Sequence, residues 1–199
     1  MIKYIITTLI LLPLQDNIPK ILELKENLKD NQIKLCQTTS YKIIQPTTHM
    51  KLISSFKDGD KLPSKYTCDG DGISPEIHWE EAPPETKSFV LIYDDPDASA
   101  GIWDHWVLYN LPPTTTSIPE DARSLPEGTQ LGLNSWGKPG YGRACPSSGE
   151  HHYIFHLYAL DTVLNLPSKA TSKQIREAMQ GYIIEEATLT AVYTRNQGL

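Results

Sequence analysis

Short apolar runs, broken at close intervals by Gly and Pro, constrain this chain more than any other feature. Residues 88–93, 103–111, 153–160 and 188–193 are rich in aromatic and β-branched side chains, the composition that suits a pleated, half-buried strand. Turn residues crowd 69–72, 83–84, 112–113 and 137–142 between and beside them. A parallel sheet needs a crossover connection, usually a helix, between successive strands, and most of these gaps carry no helical period. Antiparallel pairing is left. The expected fold is therefore mainly β, two packed antiparallel sheets, with 103–111 and 152–160 as central strands because both faces of each carry large apolar side chains.

One helix is well marked in the C-terminal half. Thr171 and Gln174, three residues on, match a capping box; Ile175, Ala178 and Met179 form an apolar edge, and Gly181 supplies a stop. Near the N-terminus, Asn17 as cap, Pro19 in the first turn and Ile21, Leu24 and Leu28 at helical spacing predict a second short helix. Residues 37–49 are rich in Thr, Ser and Gln and read as a linker. The chain thus divides into an N-terminal extension, 1–49, and a main domain, 50–199, with Met50 as an alternative start. Lys3 and the apolar run 5–14 look like a short signal peptide, but Thr7, Thr8 and Pro13 interrupt it and no small-residue cleavage site follows. The run is too short to span a bilayer. A cytoplasmic address is expected, with export as the alternative if the run acts as a signal.

Charge narrows the partners. The net charge of −6 is uneven: residues 1–50 hold six Lys against four Asp or Glu, so the remainder carries −8. An acidic domain without a basic stripe repels a phosphate backbone, which argues against nucleic acid. Any anion must be held by local donors. Cys36, Cys68 and Cys145 show neither CxxC nor Cys/His ligand spacing, so no zinc site is indicated.

Three fragments carry chemistry. Asp94-Asp95-Pro96-Asp97 ends an apolar strand, so its carboxylates are expected at a sheet edge or loop mouth and not inside the core. In Trp103-Asp104-His105-Trp106, strand alternation puts Trp103 and His105 on one face and Asp104 with Trp106 on the other. The irregular loop from Gly140 delivers His151, His152 and Tyr153 to a strand start, with His151 and Tyr153 sharing a face. Imidazole and phenol can donate to an anion, and a carboxylate can fix an imidazole tautomer. Gly137-Lys138 lacks the spacing of a phosphate-binding loop.

Taken in order, an Asp-Pro-Asp loop, a Trp-x-His strand and a Gly/Pro loop ending in His-x-Tyr resemble the signature of the phosphatidylethanolamine-binding protein family, most closely its bacterial Raf-kinase-inhibitor-like branch. Tyr66-Thr67-Cys68-Asp69-Gly70, Ser74-Pro75, Lys87-Ser88 and Tyr158-Ala159-Leu160-Asp161 echo the same branch. The resemblance covers about residues 51–195. It implies a two-sheet sandwich and a pocket built from Asp95, Asp97, Trp103, His105, Pro146, His151 and Tyr153, with Arg143 and Ser147 at its rim. It also places Cys68 and Cys145 on neighbouring loops, able to pair in an oxidising compartment. Ser99 and Ser147 stand where the family pattern has proline. Arg143 replaces a glycine, and either blocks the pocket in part or lends it a guanidinium.

The expected function is binding of a small anion, phosphate or a phosphorylated head-group, without turnover, cofactor or metal. The resemblance adds a kinase or protease as a protein partner acting through the pocket rim, and a homodimer. The rival expectation is a hydrolase or metal-dependent enzyme that uses His105, His151 and the Asp95/Asp97 pair. No stable membrane insertion is expected.

Overall fold

The computed structural model describes residues 49–195; the readings made for the N-terminal extension, its helix, its apolar run and Cys36 lie outside them. The described chain forms two antiparallel sheets and one short helix, as expected. Three short strands, β1 (Lys51–Ile53), β2 (Ile77–Glu80) and β5 (Ser117–Ile118), make the smaller sheet in the order β1-β2-β5. The larger contains β3 (Ser88–Asp95), β4 (Trp103–Leu111), β6 (Gln130–Leu131), β7 (Glu150–Leu160) and β8 (Ile183–Thr194) in the order β6-β4-β3-β7-β8. Every strand pair is antiparallel. β4 and β7 are interior strands, and the middle place between them belongs to β3, all eight residues of which are buried. Among the described residues no helix is long and apolar enough to cross a membrane.

Alternation along β3 supplies two cores. Phe89, Leu91 and Tyr93 face the smaller sheet and pack with Trp79, Leu108, Phe155 and Leu157. Val90 and Ile92 face the other way, onto Val107, Tyr109 and Tyr158 and the apolar edge of the helix. That helix, α1 (Ser172–Ala178), starts at the predicted capping box: Thr171 accepts from the Gln174 backbone and Gln174 reaches back to Thr171. Ile175 and Met179 are its buried residues in the second core, and Gly181 takes φ +82° beyond it. Cys68 and Cys145 are joined in a disulfide with Cα atoms 5.3 Å apart, which ties the loop after the 3-10 turn Ser64–Tyr66 to the loop before β7.

Two readings made from the sequence need correction. Asp94 and Asp95 stand at the end of β3 but do not emerge from the interior: they are 3% and 4% exposed, because β3 continues through them as an interior strand. And Trp106 does not share a face with Asp104. Tyr93 pairs with Trp106 but Asp94 with Asp104, so β4 bulges at His105, and one extra residue in a strand resets the alternation. Trp106 consequently joins the inter-sheet core beside Tyr141, while Asp104 stays under α1 and bonds Ser172.

The buried Asp94 is compensated from α1 and β7. Arg176 donates to it at 2.6 Å and to Asp104 at 3.3 Å, and His156 stands 3.5 Å away. Removing one partner of a buried ion pair strands the other charge, at a cost of roughly 3–5 kcal/mol when burial is complete. Arg176 keeps 30% of its side chain in solvent and His156 still faces Asp94, so Arg176→Met should cost about 2–3 kcal/mol, read as a fall of ~5–10 °C in Tm. An unchanged Tm would remove this pair from the account of how α1 is anchored.

His156 gives the domain a pH signature. Burial lowers its pKa, but bonds to Asp94 and Glu186 outweigh that and leave it raised above the ordinary 6.5. A raised native pKa contributes stability below the unfolded value, which is lost as pH climbs through the native one. His156→Gln should therefore flatten the decline in Tm above pH 6.5 in a thermal melt series; an identical slope in the variant would contradict the assignment.

Candidate functional site

β3, β4 and β7 end side by side at one edge of the larger sheet, and their last or first residues build a small cavity. It has a volume of about 230 Å³ and is lined by Asp95, Trp103, His105, Pro146, His151 and Tyr153 from the expected set, with Ser147 at the rim. Asp97 is not part of the lining. Its carboxylate is taken by the neighbouring strand, accepting from the His152 backbone N–H at 2.7 Å and from His152 Nδ1 at 2.8 Å. The backbone bond, reinforced by the imidazole, holds the Asp97 carboxyl below its usual pKa. Arg143 neither blocks nor charges the cavity: it is exposed, and its stem lies over Gly72, where a Cβ would come within 2.9 Å of Arg143 Cδ. His105, His151, Asp95 and Asp97 therefore do not converge as one ligand set.

The two imidazoles are held by the same ring nitrogen. His151 Nδ1 bonds Asp95 Oδ2 at 2.7 Å, and the other Asp95 oxygen accepts the Asp97 backbone N–H at 2.9 Å. His105 Nδ1 bonds the Gly142 carbonyl at 2.9 Å, and the Gly142 N–H returns a bond to the His105 carbonyl at 2.8 Å. Gly142 is obligatory here, since a Cβ would meet the Trp136 ring at 2.4 Å. A carboxylate and a carbonyl only accept, so both Nδ1 atoms carry a proton and Nε2 is left for a ligand.

Aromatic rings box in His105. Tyr93, Trp136 and Tyr153 stand 5.2, 5.0 and 5.4 Å from it, centroid to centroid. Burial among them is the main reason its pKa is lowered, and it outweighs the bond to Gly142, which raises it. Tyr153 is fully buried, yet its hydroxyl makes no hydrogen bond within ordinary limits. Burial, then the nearby Asp95 charge, push that phenol far up, so it is a permanent donor. Asp95 and the Cys145 backbone are its nearest polar neighbours, and the phenol lines the cavity beside both imidazoles.

Sequence reading missed Trp136, Ala98 and Ala100 in the wall of the cavity. Trp136 sits in a turn fixed by Asn134, whose side-chain oxygen accepts from the backbones of Trp136 and Lys138. It is 47% exposed and packs edge-on against Trp103. A tryptophan inside a Ser/Gly/Pro-rich stretch was the signal that could have found it.

Residues 53–194 match the phosphatidylethanolamine-binding protein family. Among curated relatives, a UPF0098 protein of Methanothermobacter thermautotrophicus is 48% identical over 71% of this chain and 95% of its own length. A UPF0098 protein of Aquifex aeolicus is 45% identical over 71% of this chain and 86% of its own. Two crystal structures are similar, each with a TM-score of 0.70: a phosphatidylethanolamine-binding-protein homologue from Chlamydia trachomatis, 40% identical over 74% of this chain and 99% of the other, and E. coli YbcL, 32% identical over 75% and 100%. The fold, the extent of the match and these identities agree, and the chain belongs to the phosphatidylethanolamine-binding protein family.

Proposed function

We propose that the cavity binds a small oxyanion, phosphate or the phosphate of a head-group, and that the protein acts by binding and not by turnover. The convergence of Tyr153, His105 and His151 on one cavity carries this reading: a phenol that stays protonated and two imidazoles are the groups that donate to an oxyanion. Size agrees. A volume of about 230 Å³ falls below the ~300–1,000 Å³ of sites that enclose whole drug-sized molecules, and suits a group of phosphate size. Regulation of a kinase or protease through the pocket rim, and pairing as a homodimer, belong to this reading through the Raf-kinase-inhibitor-like resemblance. The disulfide beside the cavity favours an oxidising compartment over the cytoplasm.

A second reading draws on the Asp95–His151 bond, which is the orienter-and-base pair of a hydrolase. Release of p-nitrophenol from p-nitrophenyl phosphate, abolished by His151→Ala, would establish it and end the binding-only view.

Proton linkage follows from the ring nitrogens. With Nδ1–H committed, a neutral imidazole offers an anion only the lone pair of Nε2, whereas the protonated ring donates there. Anion binding thus takes up protons, and affinity rises as pH falls. Because burial lowers the His105 pKa from 6.5, the rise should continue below pH 6 and not peak there. Sulfate is the cleaner probe, since its charge is constant over this range. Calorimetry should show binding about three- to sevenfold tighter at pH 5.5 than at pH 8, a linkage of one proton's pKa displaced by about one unit and not yet complete at the lower pH. His105→Ala, shown folded, should lose the ligand, and Tyr153→Phe should weaken it by about three- to tenfold, the worth of one neutral donor. Affinity independent of pH, or retained in folded His105→Ala, would sink the oxyanion site.

A further inference from the structure

A second cavity among the described residues is larger than the histidine site. It has a volume of about 490 Å³ and lies between the β4–β6 edge, the loops at 122–129 and 139–141, and Ser168-Lys169 before α1. That volume is in the range of sites that enclose a whole small molecule. Its apolar lining is Trp106, packed edge-on against Tyr141 at 5.6 Å, with Leu125 and Leu131. Its polar side chains are Arg123, Thr129, Gln130, Ser168 and Lys169. Thr129 contributes a hydroxyl that is fully buried and makes no hydrogen bond among the described residues. Lys169 brings an exposed ammonium with no ion-pair partner among them, whereas Arg123 is already held by Asp121 at 2.8 Å.

From these groups we infer that this cavity is a second binding site, for a flat aromatic or apolar molecule carrying one carboxylate. The ring would lie against Leu131, Leu125 and the edge of Tyr141, with the buried Trp106 behind them. Its carboxylate would face Lys169, and one of its oxygens would accept the Thr129 hydroxyl. Such a site pairs an apolar body with a single charge on a domain that is acidic overall, so the lysine selects the sign as well as the orientation.

Naphthalene-2-carboxylate tests it, by calorimetry on the full chain. Saturable binding is expected and, at constant ionic strength, undiminished by saturating sulfate, which separates this site from the oxyanion site. Lys169→Gln should weaken it by about three- to fivefold, the worth of an exposed charge pair. The neutral naphthalene-2-carboxamide should be weaker than the carboxylate by a similar factor. Leu131→Trp, verified as folded by circular dichroism, should fill the cavity and abolish binding. Absence of saturable binding, equal affinity for the carboxylate in wild type and Lys169→Gln, or displacement by sulfate at constant ionic strength would each overturn the inference.

Discussion

Two carboxylates, Asp94 and Asp95, end the most buried strand of the protein, and neither reaches water to any extent. Burying a charge is costly unless it is paired and hydrogen-bonded, so each must be met from within the fold. Strand alternation sends them to opposite faces. Asp94 meets Arg176 of α1 and His156, and so fixes the helix to one side of the sheet. Asp95 meets His151, and so fixes an imidazole in the cavity on the other. One dipeptide thus serves both anchoring and site construction, and the middle position of β3 in the sheet makes that double use unavoidable.

The bulge opposite this dipeptide matters as much. Without an extra residue at His105, alternation along β4 would keep Trp106 on the side of Asp104, away from the inter-sheet core. With it, His105 and Trp106 both serve the side occupied by Tyr93 and Tyr141. The loop from 134 to 146 is then held against β4 by the paired bonds between His105 and Gly142, which bring Trp136 over the imidazole. Both cavities share this loop as a wall.

Much of this was legible in the sequence, and what was not has physical causes. β3, β4, β7 and α1 announced themselves through composition and a capping box. β1, β2, β5 and β6 did not, because runs of two to four residues carry too little periodicity to read. The pairing of His151 with Tyr153 on one face followed from period two in an unbroken strand. The same rule failed at Trp106, where a bulge, invisible in composition, reset it. Asp97 looked like a pocket residue, but the spacing of an Asp-Pro-Asp loop does not reveal that His152, pointing away from the cavity, claims one of the two outer carboxylates. Arg143 was misjudged because its glycine neighbour, Gly72, is remote in sequence and offers the space that its stem fills.

The central claim is that His105, committed through Nδ1 to the Gly142 carbonyl, must take a proton at Nε2 to receive an oxyanion. Nitrogen-15 spectra of the His105 ring, recorded from about pH 5 to about pH 8 with and without saturating sulfate, address it at the atom concerned. The account predicts a free ring protonated at Nδ1 and not at Nε2 at the alkaline end, and double protonation that sets in at higher pH when sulfate is bound. A free ring already protonated at Nε2 at the alkaline end, or a titration that bound sulfate leaves unmoved, would contradict it.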